Sequence, residues 1–342
     1  MLSKRRLPLR VIIRWGLFTS GRVVLWSALV FLVHVGFGLD WLRVPFTPLS
    51  VMGIAVAFYA GFKNNAAYDR FWEGRKIWGG IVNESRTWAN AVLAYVLPLD
   101  ESEEAHAVRR DLIYRQLAWV NALRLQLRST SRFHDKPAKE TERRLKAHHG
   151  HIRTDWEQEL SPFIDLDEAE RIMPMANSAT HLVARQGQKL ARLVKDNRLD
   201  LFHQIALMET LSKLYTLQGK AERIKKTPFP RVYAEFSRLF TRVFVYVVPF
   251  GLLDVFSSHF PSGMPSGNEW MWFITYLFSA GLVGWVFMTM EGLGDASEDP
   301  FERSINDVPM NSLCIVIERD LRQLLGEEKV PPQEEPIDGV LY

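Results

Sequence analysis

The chain has 342 residues, of which 47% are hydrophobic and 24% are charged, and its formal net charge is only +3. Such a small positive charge does not favour bulk attraction to nucleic acid, so we expect no nucleic-acid partner. The single cysteine, Cys314, excludes an internal disulfide and any metal site built from paired cysteines.

The N-terminal segment is basic and leads into a long apolar run. The first 22 residues contain no acidic side chain, and the run from Val23 to Leu39 is interrupted only by Ser27 and His34. The run is too long for the apolar core of a signal peptide, and no small-residue cleavage site follows it. Because about 20 apolar residues span the hydrocarbon layer, we predict a first transmembrane helix here.

Three further apolar segments predict transmembrane helices at about 46–62, 236–256 and 270–290. With four spans, the basic segments at the N-terminus, at 63–86 and at 220–231 all lie on one side of the membrane. The positive-inside rule then places both termini in the cytoplasm of a multi-pass protein in the cell inner membrane.

The long charged segment between Phe71 and Pro230 has the periodicity of amphipathic helices, with Leu207, Leu211 and Leu214 about one turn apart. We predict a helical cytosolic bundle with little or no sheet, and a mobile tail at the C-terminus. The expected organisation has five parts: residues 1–70 with the basic segment and two spans, the cytosolic domain 71–233, two spans in 234–291, a cytosolic segment 292–330 with an acidic block, and the tail 331–342.

The second span carries a regular stripe of large side chains. Ile54, Phe58 and Phe62 recur every four residues on one helix face. Small residues at this interval allow close helix packing in a membrane, and ordinary packing of large and small residues is the alternative. If copies of this helix surround an axis, the large residues form a hydrophobic constriction. The small residues on the adjacent edge are Gly53, Ala57 and Gly61.

No proline interrupts the chain between this stripe and the charged residues that follow it, so one helix is expected to continue through both. Asp69 and its charged neighbours either form ion pairs with adjacent helices or tune the potential of an aqueous vestibule. Trp72 and Trp78 are interpreted as packing anchors at the membrane interface.

Three blocks of the chain closely resemble the bacterial branch of the bestrophin family of ion channels. They are AFYAGFKNNAAYDRFWEGRKIWGGIVNESR, GKAERIKKTPFPRVY and EDPFERSINDVPMNSLCIVIERDLRQLLGE, and the resemblance covers about residues 5–327. It implies an all-α membrane protein with four transmembrane helices per subunit, a helical cytosolic domain, and a pentamer around one axial pore. Two constrictions are implied, a hydrophobic neck in the membrane and an aperture at the cytosolic end.

The resemblance assigns residues to both constrictions. It places the neck at Ile54, Phe58 and Phe62, the stripe already found from periodicity. The aperture is a ring of one apolar side chain near a helix start, which we assign to Ile172, with Met175 as a second candidate. Packing of Ile172 against its own helix is the alternative.

The resemblance also aligns the block EDPFERSINDVP with the segment that binds calcium in animal members. Asp299 and Asp307 remain as candidate ligands, but Ser304 and Asn306 stand where acidic residues are expected. Calcium usually takes more than one carboxylate, so we expect no bound metal and no calcium-dependent gating. A charged loop explains a group of histidines elsewhere better than a zinc site does: His148, His149 and His151.

No nucleotide loop, nucleophile motif or paired catalytic carboxylates are visible, so we expect neither an enzyme nor a cofactor. The leading hypothesis is a homopentameric channel in the lipid bilayer that conducts monovalent ions, chloride or other anions, through the hydrophobic neck. One alternative is a channel of the same fold selective for monovalent cations, sodium or potassium. Another is a membrane-anchored scaffold, which would give no ion flux in liposomes.

Overall fold

The computed structural model describes residues 9–129, 153–259, 265, 267–304, 306–337 and 339–342, with side chains from Ser20 onward. These residues form an all-α protein, as predicted, and contain one isolated β-bridge between Ile337 and Val340. Ten α-helices lie in the described ranges: α1 (Leu9–Phe37), α2 (Phe46–Tyr95), α3 (Glu103–Arg128), α4 (Trp156–Leu160), α5 (Leu166–Ile172), α6 (Ser178–Lys195), α7 (Leu201–Lys226), α8 (Arg231–Val255), α9 (Glu269–Ser297) and α10 (Met310–Leu324).

Two compact units are formed, which we call the membrane unit and the bundle unit. The membrane unit contains α1, α2 as far as Asp69, α8 and α9. The bundle unit contains the rest of α2 from Arg70, the helices up to Pro228, and the chain from Asp299 to Tyr342. The sequence predicts divisions after residues 70, 233 and 291. In the structure the two units divide after Asp69, Pro228 and Glu298.

The four predicted transmembrane helices correspond to α1, α2, α8 and α9, each long and apolar enough to cross a membrane. α2 has 50 residues, far more than the roughly 20 that a span requires. It continues because its sequence has no proline after Pro48 and no glycine pair before Gly79, so nothing breaks the hydrogen-bond ladder at the end of the apolar half.

Glycine lets the helices of the membrane unit approach closely. A Cβ atom added to Gly284 of α9 would lie 2.8 Å from a methyl group of Val23 in α1. Farther along the same two helices, the rings of Phe31 and Phe273 pack with centroids 4.7 Å apart. The buried Tyr276 hydroxyl donates toward the Ser27 and Pro249 carbonyls, at 3.2 and 3.3 Å, and so links α9 to α1 and α8.

The bundle unit is organised around α3, which is buried on most of its surface. Tryptophans fill the core and satisfy their ring nitrogens: Trp88 donates to the Leu112 carbonyl, and Trp119 donates to the Gln218 side chain at 3.0 Å. Polar N-caps begin several helices, as when Ser102 accepts from the Ala105 amide at the start of α3.

The C-terminal residues 331–342 correct the prediction of a mobile tail. Val340 is fully buried, and the Ser312 amide of α10 donates to the Tyr342 carbonyl at 3.1 Å. Arg319 also donates to the Pro331 carbonyl at 2.6 Å. The charged and proline-rich composition suggested disorder, but the backbone of this segment is held by α10.

Candidate functional site

The large residues of the α2 stripe share one exposed face of the membrane unit. Side chains four apart differ by about 40° around a helix, so Ile54, Phe58 and Phe62 project in similar directions. They are 60%, 65% and 66% exposed, and the rings of Phe58 and Phe62 are stacked with centroids 6.4 Å apart. Ala57, Gly61 and Asn65 complete an open, mainly apolar groove along this face.

The opposite side of α2 packs within the membrane unit and orients the exposed face. Val56, Ala60 and Ala67 are buried there at helical spacing. On the flank of the helix, the Tyr59 ring packs against Tyr233 and Phe240 of α8, at centroid distances of 4.6 and 5.8 Å. These contacts place the opposite side of α2 against the rest of the membrane unit.

The small-residue edge divides into two parts. Gly53 is covered within the same chain, because an added Cβ would lie 2.7 Å from the Phe244 ring of α8. Around Gly61 nothing lies within 4 Å of an added Cβ. Of these two glycines, only Gly61 therefore offers open space to a second molecule.

Polar residues continue the exposed face beyond Phe62. Asn65 and Asp69 are exposed and lie within about 20° of Phe58 in helical projection. Among the described residues, the Asp69 side chain makes no hydrogen bond or ion pair. One face of α2 thus changes from apolar to acidic within about 10 Å of Phe62, at 1.5 Å per residue.

The interaction of this face with ions follows from its chemistry. Ile and Phe side chains offer no polar atom to replace the water around an ion. A narrow passage lined by them favours drying and resists ion entry until it widens. The edges of aromatic rings carry partial positive charge, which gives anions a weak favourable contact.

Ile172 requires a correction. It is the last residue of α5, and its side chain is fully buried in the core of the bundle unit. A side chain enclosed by its own subunit cannot line an opening, so this burial contradicts the predicted aperture role and supports the packing alternative. The second candidate, Met175, lies in the turn before α6 and is partly exposed.

The two acidic candidates for a metal site occupy different environments in the bundle unit. Asp299 accepts from Arg70 at 3.4 Å, whereas Asp307 is buried, and this burial raises the pKa of its carboxyl group to about 8. A carboxyl group that keeps its proton near neutral pH is a poor calcium ligand. Within the described ranges, no three His, Cys, Asp or Glu side chains are placed to share a metal ion. The histidines at 148, 149 and 151 lie outside those ranges.

Sequence reasoning missed a buried polar cluster beside the stripe. Lys63 directly follows Phe62, and its side chain is fully buried, with its ammonium 2.6 Å from a Glu291 carboxylate oxygen. Arg238 of α8 pairs with Asp295 of α9 and with Glu235 of its own helix. A signal was present, because Lys63 falls at the spacing of the buried residues Val56, Ala60 and Ala67.

Comparison with known proteins gives consistent matches over nearly the whole chain. The family model described as bacterial/fungal bestrophin protein matches residues 16–323. A voltage-dependent anion channel-forming protein of Mesorhizobium japonicum is 30% identical over 93% of this chain and 86% of its own length. A protein of the same description from Ralstonia nicotianae is 29% identical over 88% of this chain and 84% of its own length.

A solved structure has a similar fold. The crystal structure of a bacterial bestrophin homologue from Klebsiella pneumoniae aligns with a TM-score of 0.73 at 23% identity. The alignment covers 92% of this chain and 99% of that chain. The likeness therefore extends over both the membrane unit and the bundle unit.

Proposed function

Because the chain belongs to the bacterial and fungal bestrophin family, a family of ion channels and not of enzymes, we propose that it forms a pore for monovalent anions such as chloride. The pore would cross the cell inner membrane, with both chain termini in the cytoplasm. The names of the Mesorhizobium and Ralstonia relatives support anions as the conducted class.

The exposed apolar face of α2 is the observation that carries this proposal. Five copies of the chain around an axis would stack rings of Ile54, Phe58 and Phe62 and form the neck. Beside these rings, the open space at Gly61 allows a neighbouring helix to approach closely. Below the neck, Asn65 and Asp69 would line a wet vestibule, which explains why one helix carries an apolar and then an acidic face.

A triple alanine variant of Ile54, Phe58 and Phe62 tests the neck. Truncating the three rings widens and wets the passage, so single-channel current or open probability should rise. If these side chains instead filled a core, each Phe→Ala change would cost about 3–5 kcal/mol, and the protein would misassemble or lose flux. Native mass measurement before the electrical recording separates these outcomes.

The matched control truncates three exposed leucines on another span of the membrane unit. Leu25, Leu29 and Leu32 of α1 are 73%, 51% and 45% exposed, and their truncation likewise shortens three exposed apolar side chains on one helix. Their triple alanine variant should keep the wild-type current. Reduced current from an assembled neck variant, or an equal rise in the control, would contradict a neck at Ile54, Phe58 and Phe62.

Asp69 favours the second candidate, a channel for monovalent cations. Five exposed carboxylates about 10 Å beyond Phe62 would attract cations to the vestibule, at a distance from Phe62 of about one Debye length in 0.1 M salt. If the pore is cation-selective, Asp69→Asn should move the reversal potential under asymmetric salt toward that of chloride. An anion-selective wild type whose reversal potential is insensitive to Asp69→Asn would exclude this candidate.

A further inference from the structure

We propose that Lys63 is a positioning residue for the neck. Its buried ion pairs with α9 fix the rotation of α2 and so the direction in which Phe58 and Phe62 point. The inference rests on the proposed function in one respect only, namely that ions pass along this face. The contacts that carry it all lie inside the membrane unit.

Lys63 lies on the buried side of α2, where the helical spacing predicts an apolar residue. It follows Val56 and Ala60 on the buried side of α2 and is followed there by Ala67. A fully buried ammonium group is costly unless it is paired and hydrogen-bonded. Its presence in the core therefore requires partners held in place by other helices.

Those partners lie on α9 and are themselves held by α8. The Lys63 ammonium donates to Glu291 at 2.6 Å and to Asp295 at 2.5 Å, one helical turn apart on α9. The second Glu291 oxygen accepts from the Ser237 hydroxyl of α8 at 2.8 Å, and the second Asp295 oxygen accepts from Arg238 at 3.3 Å. Each carboxylate thus bridges Lys63 to α8.

The next residue of α2 attaches to the same turn of α9. The Asn64 side chain donates to the Met290 carbonyl at 2.9 Å. Gly294 makes room for it, since an added Cβ there would lie 2.3 Å from the Asn64 side-chain oxygen. Two consecutive side chains of α2 are therefore fixed against residues 290–295.

This attachment acts on the neck because Phe62 and Lys63 are neighbours. Their side chains point about 100° apart around α2, so any rotation that breaks the Lys63 pairs also turns Phe62 away from its present direction. Apolar packing alone tolerates small rotations, whereas a rotation that separates Lys63 from its carboxylates leaves an unpaired charge in the core. Lys63 therefore determines the direction of the phenyl rings without itself facing the groove.

Thiol modification of Phe62→Cys measures this orientation without requiring ion flow. The native Cys314 is buried and is replaced by alanine to leave one reactive thiol. The rate of reaction with a charged methanethiosulfonate reagent is measured on purified protein in lipid vesicles, with and without Lys63→Met. We expect the rate to change by at least about fivefold, the size of a modest coupling between sites.

Arg238→Met is the matched control. It also removes one cation from Asp295, but from α8, and it leaves both attachments of α2 in place. Its modification rate should stay within about twofold of the parent, below the coupling expected for Lys63→Met. An unchanged rate in Lys63→Met would overturn the proposal. Equal changes in both variants would also overturn it, because charge balance and not the attachment of α2 would then be the cause.

Two measures keep the outcome decisive. If Lys63→Met fails to assemble, Glu291→Gln weakens the same link while Lys63 keeps Asp295, and the same rate change is expected. Single-channel recording on proteins that keep the native Phe62 should show altered current in Lys63→Met and wild-type current in Arg238→Met. Absence of any wild-type current would contradict the proposed function and would leave the thiol result to decide the role of Lys63.

Discussion

On α2, a fully buried ammonium group follows directly after a phenyl ring that is two-thirds exposed. This order inverts the usual preference of the two side chains for water. The inversion is stable because Lys63 has two carboxylate partners, whereas Phe62 lies on a face that no other part of the described membrane unit covers. The environment of each residue is thus set by its partners more than by its own hydropathy.

The buried carboxyl group of Asp307 predicts how the stability of the protein depends on pH. Burial raises the pKa of this carboxyl group to about 8, while an aspartate in the unfolded chain titrates near about 4. Between these values the folded protein keeps a proton that the unfolded chain releases, so unfolding becomes easier as the pH rises. The thermal midpoint should therefore fall more between about pH 5 and pH 8 in the wild type than in Asp307→Asn.

Circular dichroism of the detergent-solubilised protein provides the measurement. At the upper end of this pH range the asparagine variant should be the more stable of the two, since it buries no ionised carboxylate. Parallel pH dependences in the two proteins would show that Asp307 does not hold its proton in the folded state.

At the scale of elements, the packing of α1 on α9 depends on a glycine. A Cβ atom at Gly284 would lie within 2.8–3.1 Å of three atoms of Val23, and a branched valine side chain in a helix strongly prefers one rotamer, so it moves aside only at a cost. We expect Gly284→Ala to separate the two helices and to destabilise the protein by about 1–3 kcal/mol, the usual cost of overpacking.

Gly292 of the same helix is the control, because nothing lies within 4 Å of a Cβ added there. Gly292→Ala should be neutral or stabilising by up to about 1 kcal/mol, through helix propensity alone. Thermal unfolding of both variants checks the pair. Equal stabilities would mean that the close approach of α1 and α9 is not required.

The helices themselves were largely predictable from sequence, because a run of about 20 apolar residues is a local property. The burial of particular residues was not, since it depends on distant partners. Lys63 is neutralised by Glu291, 228 residues away. Trp78 was expected at the membrane interface but lies fully buried in the bundle core, and Ile172 is enclosed by the same core.

At the scale of the whole molecule, the bundle unit exposes apolar residues that suit contact between copies. Phe202 and Ile205 of α7 are 78% and 53% exposed, and Leu201 and Met208 extend the same surface. Exposed apolar clusters of this kind mark association surfaces in soluble domains. We expect a pentamer for the detergent-solubilised wild type by native mass measurement.

Substitution of Phe202 and Ile205 together by glutamate should lower the assembled fraction, because ten carboxylates would enter the contacts of a pentamer. Leu99→Glu is the control, since Leu99 is a fully exposed leucine in the loop after α2. A stable wild-type monomer with full ion flux would contradict an axial pore. Full assembly of the double glutamate variant would place the subunit contacts elsewhere.

The reversal potential of the purified wild-type protein, recorded in a planar bilayer between asymmetric sodium chloride solutions, tests anion conduction most directly. Conduction of monovalent anions predicts a reversal potential close to the equilibrium potential of chloride. A reversal potential close to that of sodium, or no current from the assembled protein, would contradict it.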